Sequence, residues 1–218
     1  MPLQGTIQSA PNGSVGFDTD TALTADTAAA FVAQGFQFAV RYLSRHPTES
    51  AGDLTTSEAQ TILDSGLALM AVQHVAGEGW TPTQPLGQQN GQYAVQNAQA
   101  VGLPTGMQIW LDLEGVNATD TAANVEQYCN AWFAAVSSAG YVPGLYVGAN
   151  CGLTGQELYQ NLTVQYYWQS GSTVPAIPTR GYCMLQTISS TFVVDGVAYD
   201  RDLVQTDDLG STPLWLTP

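Results

Sequence analysis

Hydrophobic and polar positions change rhythm repeatedly along the chain. Short apolar runs alternate with stretches in which apolar residues recur every three or four positions. The short runs predict strands at Val15–Asp18, Phe36–Leu43, Leu67–Val75, Met107–Glu114, Val142–Gly148, Val164–Gln169, Gly181–Thr187 and Val197–Val204. The longer rhythm predicts helices at Thr24–Gln34, Thr56–Ser65, Gln92–Val101 and Thr121–Ala139, with at most a short one at Gly155–Asn161. Thr121–Ala139 has the clearest period, with Val125, Tyr128, Cys129, Trp132, Phe133 and Val136 on one face. Gly35, Gly66, Gly102 and Gly140 follow the predicted helices as stops, and Thr24 suits an N-cap. The Gly-, Pro- and Gln-rich segment 77–91 reads as a loop.

Repeated strand–helix–glycine–strand units imply parallel strands joined by right-handed crossovers. Eight strands with few helices in the second half predict an α/β fold, a modified (β/α)8 TIM-like barrel. An open doubly wound sheet competes with it, but neither G-x-G-x-x-G nor G-x-x-x-x-G-K-[ST] follows the first strand. Residues 1–14 read as a lead-in, 15–205 as the barrel, and 206–218 as a tail in which Pro213–Leu216 docks as a cap.

The stretch Met107-Gln-Ile-Trp-Leu-Asp-Leu-Glu-Gly115 carries the most chemistry. Side chains alternate along a strand, so Trp110, Asp112 and Glu114 share one face, opposite Ile109, Leu111 and Leu113. The two acids lie roughly 6.5–7 Å apart along the strand. Packing gives no reason for two acids on one face of a core strand, because buried unpaired carboxylates are costly. At the carboxyl end of a barrel strand they form a natural acid/base pair. The plainer alternative is two solvated acids opening a loop.

Charge narrows the partners. The chain has 18 acids against four arginines and no lysine, a net charge of −14. Contact with nucleic acid phosphates or an anionic membrane is not expected, whereas a neutral glycan is an acceptable partner. The three cysteines lack a CxxC spacing and have only two histidines to join them, so a zinc site is not expected. One disulfide with a free thiol, or three buried thiols, both remain open. No apolar run reaches the length of a membrane span, and Met-Pro-Leu-Gln-Gly lacks the basic and apolar regions of a signal peptide.

Polar and aromatic residues gather where the predicted strands stop: Asp18, Arg41 and Tyr42, Gln73 and His74, Asp112 and Glu114, Tyr146, Trp168, Gln186, and Asp200. In a barrel these ends converge on one mouth. Acids, amides and aromatic faces around a pocket suit a sugar. Several of these residues have structural alternatives: Arg41 in an ion pair, His74 as a satisfied strand-end histidine, and Tyr146 and Trp168 in the core.

Gly16-Phe-Asp18, Asp112-x-Glu114, Gly144-Leu-Tyr146 and the segment from Gln186 through Val194-Asp-Gly-Val197 to Asp200-x-Asp202 resemble the glycoside hydrolase family 25 lysozymes. Phe17-Asp18-Thr19, Phe38-Ala-Val-Arg-Tyr42 and Ser65-Gly66-Leu67 are most similar to a bacterial group of glycoside-hydrolase-like domains related to that family. The resemblance spans roughly 15–205. It implies a cofactor-free peptidoglycan muramidase with Glu114 as general acid/base, Asp112 as the stabilising charge, and Asp18 and Asp200 lining the site. Together with the strand-end reading, the candidate binding residues are Asp200, Arg41, Tyr42, Gln73, His74, Tyr146, Trp168 and Gln186. Two positions depart from the lysozymes: Asp202 replaces a usual Asn, and Met184-Leu185 replaces an aromatic.

The protein is thus expected to act as a monomer on the cell wall, secreted or delivered by a route without a visible signal peptide. A non-catalytic glycan-binding or wall-targeting module on the same fold is the alternative. A metal-dependent hydrolase built on Asp18, His74, Asp112, Glu114 and Asp200 is a third reading.

Overall fold

The computed structural model describes residues 3–218; Met1 and Pro2, the start of the lead-in, lie outside the described residues. Seven parallel strands run in chain order around a barrel: β2 (Val15–Thr19), β3 (Phe38–Leu43), β4 (Ala68–Gln73), β5 (Gln108–Leu113), β6 (Val142–Val147), β7 (Tyr167–Gln169) and β8 (Met184–Thr187). The first strand of the chain, β1 (Thr6–Ser9), lies outside this ring. The small hairpin of β9 (Val193–Val194) and β10 (Val197–Ala198) then leads into β11 (Asp200–Val204), which closes the ring between β8 and β2.

That closing strand corrects the sequence reading, because β11 is antiparallel to both neighbours. The cause is local. Asp195 and Gly196 take positive φ (47° and 81°), so the chain reverses in a tight hairpin instead of crossing over through a helix. Entering from the hairpin, β11 starts at the mouth and puts Asp200 beside Asp18 in register.

The helices are α1 (Ala25–Ala33), α2 (Thr56–Asp64), α3 (Gln84–Val101), α4 (Ala122–Ser138) and α5 (Gly155–Asn161). Thr24, Thr55, Thr83, Thr121 and Thr154 each cap one by accepting a backbone N–H. The face predicted for α4 is the buried one, from Val125 to Val136. Helix α3 begins eight residues before the predicted Gln92. Its glycines are packing residues, not loop residues: a Cβ on Gly87 would strike the Tyr128 carbonyl, and one on Gly91 the Trp132 backbone. Two helices approach this closely only where one lacks side chains.

Two cores follow from strand alternation. Ile109, Leu111 and Leu113 pack outward under the helices. Phe38, Val40, Met70, Val72, Trp110, Trp168 and Met184 fill the barrel. The barrel accepts rings this large because facing positions are bare: a Cβ on Gly16 would enter the Phe38 ring, and one on Gly144 the Trp110 ring. The lead-in and the tail also form structure. β1 pairs antiparallel with β12 (Leu214–Thr217), and β12 meets β4 at Leu69. Trp215 packs against Phe38 at 5.8 Å, closing the bottom of the barrel. All three cysteines are buried free thiols. No helix among the described residues is long and apolar enough to cross a membrane.

Candidate active site

The parallel strands end at one mouth, which opens into a cavity of about 550 Å³ lined by Asp18, Asp20, Tyr42, His74, Asp112, Glu114, Phe192, Tyr199 and Asp200. Asp112 is the last inward residue of β5. Glu114 follows just past the strand end, where Gly115 (φ 63°) turns the chain away. Three backbone contacts fix this corner: the Trp80 indole N–H donates to the Glu114 carbonyl (2.8 Å), Gly115 N–H to Ala149 O (2.8 Å), and Gly148 N–H to Leu113 O (3.0 Å). The Glu114 carboxyl lies over Gly148, where any Cβ would displace it.

Asp18 is 3% exposed and held by two donors. Tyr42 Oη donates to Oδ1 (3.0 Å) and Gln186 Nε2 to Oδ2 (2.8 Å). Gln186 is itself oriented by Tyr146 Oη (2.9 Å) and Gly171 N–H (3.2 Å), both donating to its Oε1. His74 stacks on the Tyr42 ring at 4.5 Å, and its Nε2 meets Asp53 Oδ1 at 2.9 Å. Tyr42, Tyr146, Gln186 and His74 thus form a chain of contacts leading to one carboxyl.

Four carboxyls share this interior, and burial dominates their acidity. Asp18 is pushed up to about 7, chiefly by desolvation and then by the Asp200 charge, against the lowering pull of Gln186 and Tyr42. Asp112 is raised well above the usual carboxylate range by burial, then by the charges of Glu114 and Asp18. Burial alone raises Glu114. Asp202, fully buried and accepting from the Trp168 indole N–H (3.1 Å), is also raised by burial and by Asp18. Oδ1 of Asp112 and Oδ2 of Asp202 have no donor. Such a cluster retains protons near neutral pH, and its protonation steps belong to the group as a whole.

Of the residues expected at the mouth, the fold brings together Asp18, Tyr42, His74, Asp112, Glu114 and Asp200 around the cavity, with Tyr146 and Gln186 directly behind Asp18. Three expected binding residues lie elsewhere. Arg41 occupies an outward position of β3. It is fully buried, bonded through Nε to Glu58 Oε1 (2.6 Å) and through its remaining nitrogens to Thr19 O and to Gly52 O (2.7 Å). Gln73 likewise points outward from β4, donating to Ser44 O and Asn90 O and accepting from the Trp132 indole. Strand parity decides both cases, since each is one residue away from an inward neighbour. Trp168 points inward but lies below the mouth, edge-on to Trp110 and Tyr146.

Ile188, Phe192 and Tyr199 form an apolar lip that the sequence reading did not include. Phe192 stacks on Tyr199 at 5.4 Å and 14°. The Asp195-Gly196 pair flanked by apolar residues was the available signal for that hairpin. Asp202 was seen only as a departure from the lysozymes, and its position on the inward face of β11 places it in the carboxyl cluster. Among the described residues no group of three or more His, Cys, Asp or Glu has the geometry to hold a metal ion.

Comparisons agree with this architecture. The structure is similar to that of the Mycobacterium tuberculosis Tat-secreted protein Rv2525c in complex with L-tartrate (TM-score 0.62, 21% identity, 89% of this chain and 96% of that one). It is also similar to the bacterial lysozyme from Streptomyces coelicolor (TM-score 0.62, 15% identity, 89% and 93% covered). A third likeness is to a family 25 glycosyl hydrolase from Bacillus anthracis (TM-score 0.56, 12% identity, 87% and 88% covered). No curated protein matches the chain in sequence. The model of the Rv2525c-like, glycoside hydrolase-like domain matches residues 29–197, and the chain belongs to that family, whose fold it shares with the family 25 lysozymes.

Proposed function

We propose that the protein is a glycosidase of the muramidase type acting on cell-wall peptidoglycan, with Glu114 as the proton donor. The observation that carries this reading is that Asp112 and Glu114 face one open cavity at the barrel mouth, beside the buried Asp18. Glu114 is the more accessible of the pair and can hand its proton to the glycosidic oxygen. The C1–O bond then breaks, and water supplies hydroxide to C1 and returns a proton to a carboxylate. Burial and the neighbouring charges favour the neutral form of the deeper Asp112, while burial alone favours that of Glu114. A sugar whose C1 becomes positive favours the charged form of Asp112 and moves the proton toward Glu114. Asp18 and Asp200 then line the sugar, and the Phe192 lip offers it an apolar face.

The lysozyme fold of the S. coelicolor relative supports the substrate class, and the Tat-secreted relative supports work outside the cytoplasm. A second reading, glycan binding without turnover, is favoured by one observation: the neutral carboxyls of a cluster raised by burial donate hydrogen bonds to hydroxyls without doing chemistry. Digestion of purified peptidoglycan by wild type and Glu114→Gln separates the two. New reducing ends that vanish in the variant establish the glycosidase. Wall binding by both proteins, with no new ends, establishes the binder.

A further inference from the structure

Glu114 also lines a second, smaller hollow. It has a volume of about 270 Å³, and Val75, Ala76, Glu78, Gly115, Ala149 and Asn150 complete its wall. Val75 and Glu114 belong to both hollows, so Glu114 stands on the divide between them. The second hollow is built into the backbone. Asn150 takes φ 55° and Gly115 φ 63°, Gly79 N–H donates to Gly115 O (2.7 Å), and Val116 N–H donates to Asn150 O (3.0 Å). Trp80 and Val116 join the two loops in a parallel bridge.

Resting on the glycosidase reading, we propose that this second hollow holds the sugar that leaves, and that Glu78 makes it select an amino sugar bearing a free ammonium over an N-acetylated one. A proton donor must reach the oxygen between two sugars, so one sugar lies on each side of it. The large hollow, with Asp112 and Asp18, takes the sugar whose C1 reacts; the hollow beyond Glu114 takes the other.

Charge sets its preference. Glu78 is exposed on the rim, and neither hollow contains a lysine or an arginine. Arg41 is tied to Glu58 behind the wall, and Arg180 is tied to Asp207. An ammonium in this hollow therefore meets the Glu78 carboxylate and no cation among the residues that line it. A carboxylate there finds no partner.

The test uses peptide-free peptidoglycan glycan strands, fully N-acetylated or with the glucosamine N-deacetylated, and the wild type, Glu78→Gln and Glu78→Lys proteins. Glu78 is on the surface, so both variants fold. Wild type is expected to cleave deacetylated strands with about two- to fivefold higher kcat/KM at low salt, the size of one exposed charge pair. The ratio falls toward one in Glu78→Gln and inverts in Glu78→Lys. Cleavage with the same ratio in all three proteins overturns the subsite and leaves the glycosidase intact. If no strand is cut by any of them, the glycosidase reading fails, and calorimetric binding of a glucosamine oligomer decides the subsite. Affinity lower in Glu78→Lys than in wild type supports it, and equal affinity overturns it.

Discussion

Gln186 on β8 donates to Asp18 on β2 at 2.8 Å, over β11, the strand that closes the ring between them. The bond joins residues far apart in sequence and, with the Tyr42 hydroxyl, it offsets the burial of the Asp18 carboxyl. Burial pushes the Asp18 carboxyl up to about 7 from an ordinary value of 3.8. A raised acid contributes stability that is full below its unfolded pKa and is lost as pH rises toward the folded one. The protein is therefore expected to be most stable near pH 4 and to lose up to about 4 kcal/mol by pH 7 from this group. Denaturant titrations across that window should show the slope. Asp18→Asn should flatten it, and Gln186→Leu should steepen it.

Glu114→Gln should lower the release of reducing ends by about 10²- to 10⁴-fold, the range of general acid catalysis. Because burial raises the Glu114 pKa, kcat/KM in wild type should fall as pH rises through that raised value, giving an acidic optimum. A profile of kcat/KM against pH checks this, and a flat profile from pH 4 to 8 would contradict it.

Arg41→Met should cost about 3–5 kcal/mol, because it strands the buried Glu58 carboxylate with the Leu23 N–H as its remaining partner. The double variant Arg41→Met/Glu58→Gln should recover part of that loss. Urea unfolding of the two variants measures the difference. The effect belongs to the wall behind β3, so Arg41→Met that is still folded should bind glycan with unchanged affinity.

Gly144→Ala should destabilise the barrel by about 1–3 kcal/mol, because the new methyl enters the space of the Trp110 ring. A Trp110→Leu change in the same chain should relieve it. Thermal melts of the single and double variants provide the comparison.

Much of the barrel was legible because its strands are short apolar runs punctuated by glycine, and α4 carries a clean three-and-four rhythm. Asp18 and Asp112 were legible because a carboxylate on the inward face of a core strand has no packing purpose, and Glu114 because it follows Asp112 in phase just past the strand end. What sequence pattern could not give was parity at the strand ends. Arg41 and Gln73 sit one residue out of phase with Tyr42 and Val72, and a single step turns a side chain from the mouth to the helix layer. The direction of β11 was also hidden, because apolar alternation is the same in parallel and antiparallel strands. Gly87 and Gly91 read as loop residues because composition cannot distinguish a glycine that bends the chain from one that admits a neighbouring helix.

The pairing of β1 with β12 has a consequence for how this barrel can be joined to other things. Thr6 and Thr217 are register partners, so β1 and β12 meet at the pole that Trp215 stoppers, opposite the carboxyl cluster. A tether, a fused module or a solid support attached at either end leaves the opening facing away from the anchor.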